Sequence, residues 1–232
     1  LKVLNDNIPF RVMIGGSQIK RVQTCKYLGV ILDEHLTWNA HIGYIKKKTL
    51  NNLYLLKRIR PFISKDVALL FYRSNIQSYF DYCSLVWCNT GKTNMQTLQL
   101  LQNRSLRVVL RVGYMYSSQL IYDSLKFDKL DVRFCKHLAH LVFKVVKKEL
   151  PSYIYMQFIT QTFNYSLRVG DVHFSIPRIK TNYGKRCLRY REFKLWNVIG
   201  KSSSVNTLAA QQFKKYIIYL DWKHIITQMY PY

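Results

Sequence analysis

Carboxylates are scarce in this chain. Only 12 Asp and Glu stand against 36 Lys and Arg in 232 residues, a formal net charge of +24. The acids are also scattered, and the close pairs are Asp33 with Glu34 and Asp128 with Asp131. Two-metal phosphoryl transfer needs several acidic oxygens converging on two divalent ions. Asp33 and Glu34 would alternate faces in a strand or turn, and Asp128 and Asp131 read as helix-start acids, so neither pair meets that need. No G-x-S-x-G, P-loop or G-x-G-x-x-G run occurs, and "VIGKSSS" lacks the leading glycine of a phosphate loop. No catalytic residue and no small-molecule substrate are expected for this chain.

Long apolar runs are lacking too. None approaches the roughly 18 residues of a membrane span, and no signal peptide is visible. Cysteines number five (Cys25, Cys83, Cys88, Cys135 and Cys187), an odd count at irregular spacing. A reducing intracellular compartment, nuclear or cytoplasmic, is the expectation. Cys83 and Cys88 do not share a helix face. His137 and His140 do, at i and i+3, but Cys135 points away from His137. A structural zinc wants four converging ligands. Core cysteines and surface histidines are expected instead, with no metal and no cofactor. The first residue is Leu1, so the chain reads as a piece of something longer.

What is present is apolar surface and positive charge. Hydrophobic residues make up 49% and aromatics 15%, enough to build a core. The cations cluster where acids are missing. Between Glu34 and Asp66 lie Lys46, Lys47, Lys48, Lys57, Arg58, Arg60 and Lys65. Between Asp81 and Asp123 lie Lys92, Arg104, Arg107 and Arg111, and between Asp171 and Glu192 a further cluster runs from Arg178 to Arg191. Such stretches suit a polyanion, nucleic acid being the commonest. Solvated lysine faces and anionic membrane surfaces would leave similar patterns.

Residues 1–38 read as β structure, with a Gly15-Gly16 turn and then, over 25–38, a short strand, a turn or tight bend at Gly29 and a second strand. From Asn39 the period changes to a helix with the apolar stripe Ile42, Ile45, Thr49, Leu53, Leu56 and Ile59, ended by Pro61. Its opposite face carries Lys47, Asn51, Tyr54 and Arg58, with Lys47 and Arg58 about 16 Å apart along the axis. That face suits a sugar-phosphate track, or simply solvent. Ser64 should cap a second, continuous and buried helix running to Cys88, with Asp66 in its first turn. A third helix should bury Met95, Leu98, Leu101, Val108 and Val112, align Arg104, Arg107 and Arg111, and stop at Gly113. Helices are also expected near Gln119–Leu125, over Leu130–Leu150 up to Pro151, and in "NTLAAQQFKKYIIYL", capped near Asn206. The fold class is mainly α, a helical bundle-like body with a short N-terminal β-hairpin region.

Four stretches together carry a resemblance: "KYLGVILDEHLTWNAHI", "IKKKTLNNLYLLKRIRPFISKDVALLFYRSNIQSYFDYCSLVWCNT", "LQLLQNRSLRVVL" and "YREFKLWNVIGKSSSVNTLAAQQFKKYIIYL". In order and spacing they resemble the C-terminal part of jockey-type reverse transcriptases of non-LTR retrotransposons, from about Cys25 to Leu220. The resemblance implies a palm-closing hairpin within 1–38, a thumb-like helical domain over 39–113 and a basic helical region over 114–232. It implies a primer-grip-like role for Tyr27, Leu28 and Gly29. It implies contacts to an RNA or RNA–DNA duplex for Lys46, Lys47, Lys48, Tyr54, Lys57 and Arg58, and by extension for Arg104 and Arg107. The family's metal-binding aspartates precede this hairpin, and nothing before Cys25 matches them. The expectation is a truncated reverse-transcriptase segment, inactive alone, with divalent metal only in the missing palm. The alternative is a non-enzymatic RNA-binding or protein-interaction helical module.

Overall fold

A computed structural model of the chain describes residues 12–154, 174–176, 178–181, 184–200, 205 and 208–229. Two short antiparallel hairpins open it. β1 (Met13–Ile14) pairs with β2 (Ser17–Gln18), Ile14 opposite Ser17, around Gly15 and Gly16 at φ 55° and 78°. β3 (Thr24–Tyr27) pairs with β4 (Val30–Asp33), Tyr27 opposite Val30. The expected strand, glycine turn and second strand are thus present as a hairpin. Leu28 and Gly29 both take positive φ, 45° and 81°, as a two-residue turn between twisted strands requires. β3 is exposed throughout, whereas β4 buries Val30 against the helical body.

Asp33 turns the chain into the first helix. Its carboxylate accepts from the backbone N–H groups of His35, Thr37 and Trp38 at 3.2, 2.9 and 2.7 Å. Those bonds hold a knot in which Leu36 and Trp38 are left-handed. Slight burial pushes the Asp33 carboxyl up, but the hydrogen bonds outweigh it and hold it below its usual range. α1 (Asn39–Ile59) then buries Ile42, Ile45, Thr49, Leu53 and Leu56 of the expected stripe, and also His41, while Ile59 at its end is only half-buried. A 3-10 turn over Arg60–Phe62 carries Pro61 and ends it.

Ser64 caps α2 (Lys65–Tyr72) by accepting from the Val67 N–H at 3.3 Å, with Asp66 in the first turn. The continuous helix expected to Cys88 is broken. A π-type turn (Arg73–Gln77) leads into α3 (Ser78–Asp81), Tyr82 is extended, Cys83 is left-handed at φ 48°, and α4 (Ser84–Trp87) restarts. Nor is the segment buried all round, since Val67, Leu70, Tyr82, Cys83 and Val86 are exposed. The break accompanies one long-range and one local bond. The Tyr82 hydroxyl donates to the Leu28 carbonyl at 2.7 Å, and Trp87 Nε1 donates to the Tyr82 carbonyl at 2.9 Å.

α5 (Lys92–Leu110) packs on α1 and α2. Its buried face is Leu98, Leu101, Gln102, Ser105, Leu106 and Val109; Met95, Val108 and Val112 are only half-buried. Gln99 and Gln102 sit in a polar knot with the Tyr122 hydroxyl, and Gln99 Oε1 accepts from the Leu130 N–H at 2.9 Å, starting the helix there. Arg111, not Gly113, takes the left-handed position that closes α5, at φ 55°.

α6 (Ser118–Leu125) follows, then α7 (Leu130–Val146) with Asp131 in its first turn. α7 stops before Pro151. Lys148 is left-handed, and Glu149 N–H donates to Lys144 O at 2.9 Å, so the helix is closed by its own backbone. α8 (Leu188–Ile199), α9 (Ala210–Tyr219) and α10 (Trp222–Met229) complete the described residues. Ala209 precedes α9 and donates to Gln212 Oε1 at 2.9 Å; the expected cap, Asn206, lies outside the described residues.

The apolar packing forms two clusters that meet along α7. One runs from Val30 to Phe134 and includes α6, continuing past residue 113. The other runs from Cys135 to Met229, with Phe143 stacked on Phe213 at 4.1 Å and Phe174 on Phe193 at 4.7 Å. The chain is mainly α-helical with two short hairpins near its start.

Candidate nucleic-acid interface

α1 buries one stripe, so every residue half a turn away must face water. Lys46, Lys47, Lys48, Asn51, Tyr54, Lys57 and Arg58 are all exposed. None of these cations is in an ion pair among the described residues. The eleven-residue step from Lys47 to Arg58 spans about 16 Å of rigid helix. Two features extend this face beyond the sequence expectation. Lys48 Nζ and Lys26 Nζ each lie 5.8 Å from the centroid of the half-buried Tyr44 ring. Tyr44 and Lys48 stand at i and i+4, a spacing that could have signalled their contact; the approach of Lys26 from β3 leaves no such local signal.

The β3–β4 tip stands beside this face. Tyr27 and Leu28 are 65% and 72% exposed, so both side chains are presented to solvent. Gly29 is fixed twice over: its φ is 81°, and an added Cβ would lie 3.2 Å from Tyr82 Cε1. With the hydroxyl bond to Leu28, Tyr82 clamps the turn onto the α3–α4 break.

The arginines of α5 divide. Arg104 is exposed with no ion pair among the described residues. Arg107 is half-buried, and its Nε and Nη2 donate to the Tyr116 carbonyl at 3.2 and 3.0 Å. Arg60 is buried, donating from Nε to Val109 O at 2.9 Å and from Nη1 to Ile63 O at 2.8 Å. Burial, then the nearby Arg111, pull its pKa down from the usual guanidinium value. Arg191 is 5% exposed and donates to Cys88 Sγ at 3.1 Å. Several cations that look alike in sequence therefore hold the fold together.

One cluster has the residue types of a hydrolytic site. Ser84 Oγ lies 3.0 Å from His137 Nδ1, and His137 Nε2 lies 4.0 Å from Asp81 Oδ1. Nucleophilic use needs an accessible hydroxyl. Ser84 is 2% exposed, and Asp81 is gripped by the Arg133 guanidinium, Nη2 to Oδ2 at 2.6 Å. The cluster ties α3 and α4 to α7. Burial pulls the His137 pKa down, Asp81 pushes it up, and the net direction is down. His137 and His140 are half-buried, contrary to the surface position expected, while Cys135 is buried. Among the described residues no three His, Cys, Asp or Glu side chains converge as a metal site, and no helix is long and apolar enough to cross a membrane.

Comparison with known proteins bears on what such a basic helical face serves. The chain is 26% identical over 122 residues to the RNA-directed DNA polymerase from mobile element jockey of Drosophila funebris, covering 51% of this chain and 13% of that protein. The matches are RNA-directed DNA polymerases. Two more are probable RNA-directed DNA polymerases of Drosophila melanogaster: from transposon X-element, 23% identical over 135 residues, and from transposon BS, 20% over 132. Each of these two covers 55% of this chain, which spans 15% and 14% of their respective lengths. The similarity to reverse transcriptases of non-LTR elements, first carried by the motifs, thus extends over about half the chain. No protein-family model matches the chain. No solved structure matches it either.

Proposed function

We propose that this chain is the part of a reverse transcriptase that grips the template–primer duplex, while the aspartates that join nucleotides belong to a palm outside it. The observation that carries the reading is the exposed cations of α1, with Lys47 and Arg58 on one face beside Tyr54 and Lys46, Lys48 and Lys57 on its flanks, none in an ion pair among the described residues. A rigid row of cations neutralises successive phosphates without reading bases, as a polymerase that copies any sequence requires. Tyr27, Leu28 and Gly29, clamped by Tyr82, would present the hairpin tip to the primer strand. Arg104 would extend the contact along α5, whereas Arg107 contributes through the loop it holds. The sequence similarity to RNA-directed DNA polymerases supports an RNA or RNA–DNA duplex as the partner. Divalent metal would enter only with the palm.

Fluorescence anisotropy with a blunt RNA–DNA hybrid and a DNA duplex tests this. Lys47→Glu with Arg58→Glu should weaken both alike, regardless of sequence. On B-form DNA each lost phosphate contact removes roughly 0.9 from the slope of log K against log salt, so the double variant should lose about 2. Unchanged affinity and slope would remove α1 as the gripping face.

A further inference from the structure

The far end of α5 carries a second surface of different character. Arg111 Nη2 donates to the carbonyls of Arg60 and Pro61 at 2.7 and 3.0 Å, and Arg107 holds the Tyr116 carbonyl. These bonds draw two loops to one place, the turn after α1 (60–63) and the loop after α5 (113–117). Both loops present large apolar side chains to water. Phe62 is 87% exposed, Tyr114 83% and Met115 86%. At the same end of the bundle a groove is lined by Lys57, Arg60, Pro61, Val108 and Arg111.

The charge there is unbalanced. Lys57, Arg60, Arg107 and Arg111 form no ion pair among the described residues. The C-terminal ends of α1 and α5 together offset roughly one unit of positive charge, leaving about three. Exposed rings beside uncompensated cations suit a ligand with flat apolar faces strung on a polyanion. A duplex hides its base faces; a single strand offers them. We propose that this end of the bundle is a docking platform for single-stranded nucleic acid, with bases stacking on Phe62 and Tyr114 and phosphates following the exposed Lys57 and Arg111 along the groove, while buried Arg60 adds positive charge beneath them. It shares Lys57 with the edge of the α1 face but does not depend on that face binding a duplex.

The test uses the whole chain and a labelled 12-nucleotide oligothymidine read by anisotropy, with a blunt duplex and phosphatidylserine-containing vesicles as the other arms. Phe62→Ala with Tyr114→Ala should weaken oligothymidine about tenfold per ring, since one base stack contributes on that scale. Blunt-duplex affinity and the thermal midpoint should stay unchanged, because neither ring is packed. Phe62→Trp with Tyr114→Trp should keep or tighten oligothymidine binding. Loss confined to oligothymidine supports the platform even if the duplex is not bound at all, an outcome that would sink only the α1 reading. Equal oligothymidine affinity in the alanine pair, failure of the tryptophan pair to bind, or ring-dependent binding of vesicles but not of oligothymidine would each overturn it.

Discussion

Glu192 offers a quantitative test of the second apolar cluster. It lies in α8 with no exposed surface, and neither carboxylate oxygen has a hydrogen-bond partner among the described residues. Burial pushes its pKa up and the neighbouring Arg191 pulls it back, leaving it at about 8 against an ordinary 4.5. Below pH 4.5 the folded and unfolded chains both carry the proton. Between 4.5 and 8 the unfolded carboxyl is ionised while the folded one is not, so unfolding releases a proton and stability falls as pH rises. Each pH unit costs about 1.4 kcal/mol, and the full window on the order of 5 kcal/mol. Glu192→Gln removes the titration. Its buried amide adds a constant penalty of about 1–3 kcal/mol that does not depend on pH. Urea unfolding at pH 5, 6, 7 and 8 should therefore give a stability difference between the two proteins that shifts in favour of the variant by about 1.4 kcal/mol per unit. Parallel profiles would show that Glu192 is solvated or ionised in the folded chain, and the packing described around it would be wrong.

Two further substitutions probe the route from the hairpin into α1. Gly29→Ala should cost about 1–3 kcal/mol in urea unfolding, because the residue must hold positive φ while its Cβ presses on the Tyr82 ring. Normal stability in that variant would mean the clamp is loose. Asp33→Ala should cost about 1–2 kcal/mol at neutral pH by freeing the N–H groups of Thr37 and Trp38. Because the folded Asp33 pKa is lowered, its contribution is present above the ordinary carboxylate range and fades as pH falls through the folded value. A penalty that grows with acidity would refute this.

The sequence by itself determined what depends on local period. The α1 stripe of Ile42, Ile45, Thr49, Leu53 and Leu56 was legible because helical geometry alone sends those positions to one side. The Gly15-Gly16 turn and the Ser64 cap were legible because each needs only neighbouring atoms. The exposure of the α1 cations follows from the same period. Tertiary structure alone decided which other cations meet solvent. Arg60, Arg107 and Arg191 have ordinary surface chemistry, yet each is spent on an acceptor 9 to 103 residues away, and such acceptors exist only once helices are packed. The break at Tyr82–Cys83 has the same origin. With the helix broken there, the Tyr82 hydroxyl reaches the Leu28 carbonyl, an acceptor 54 residues away that local pattern does not record. A one-dimensional pattern records what a residue can do; which partner it meets is fixed by contacts that close across the fold.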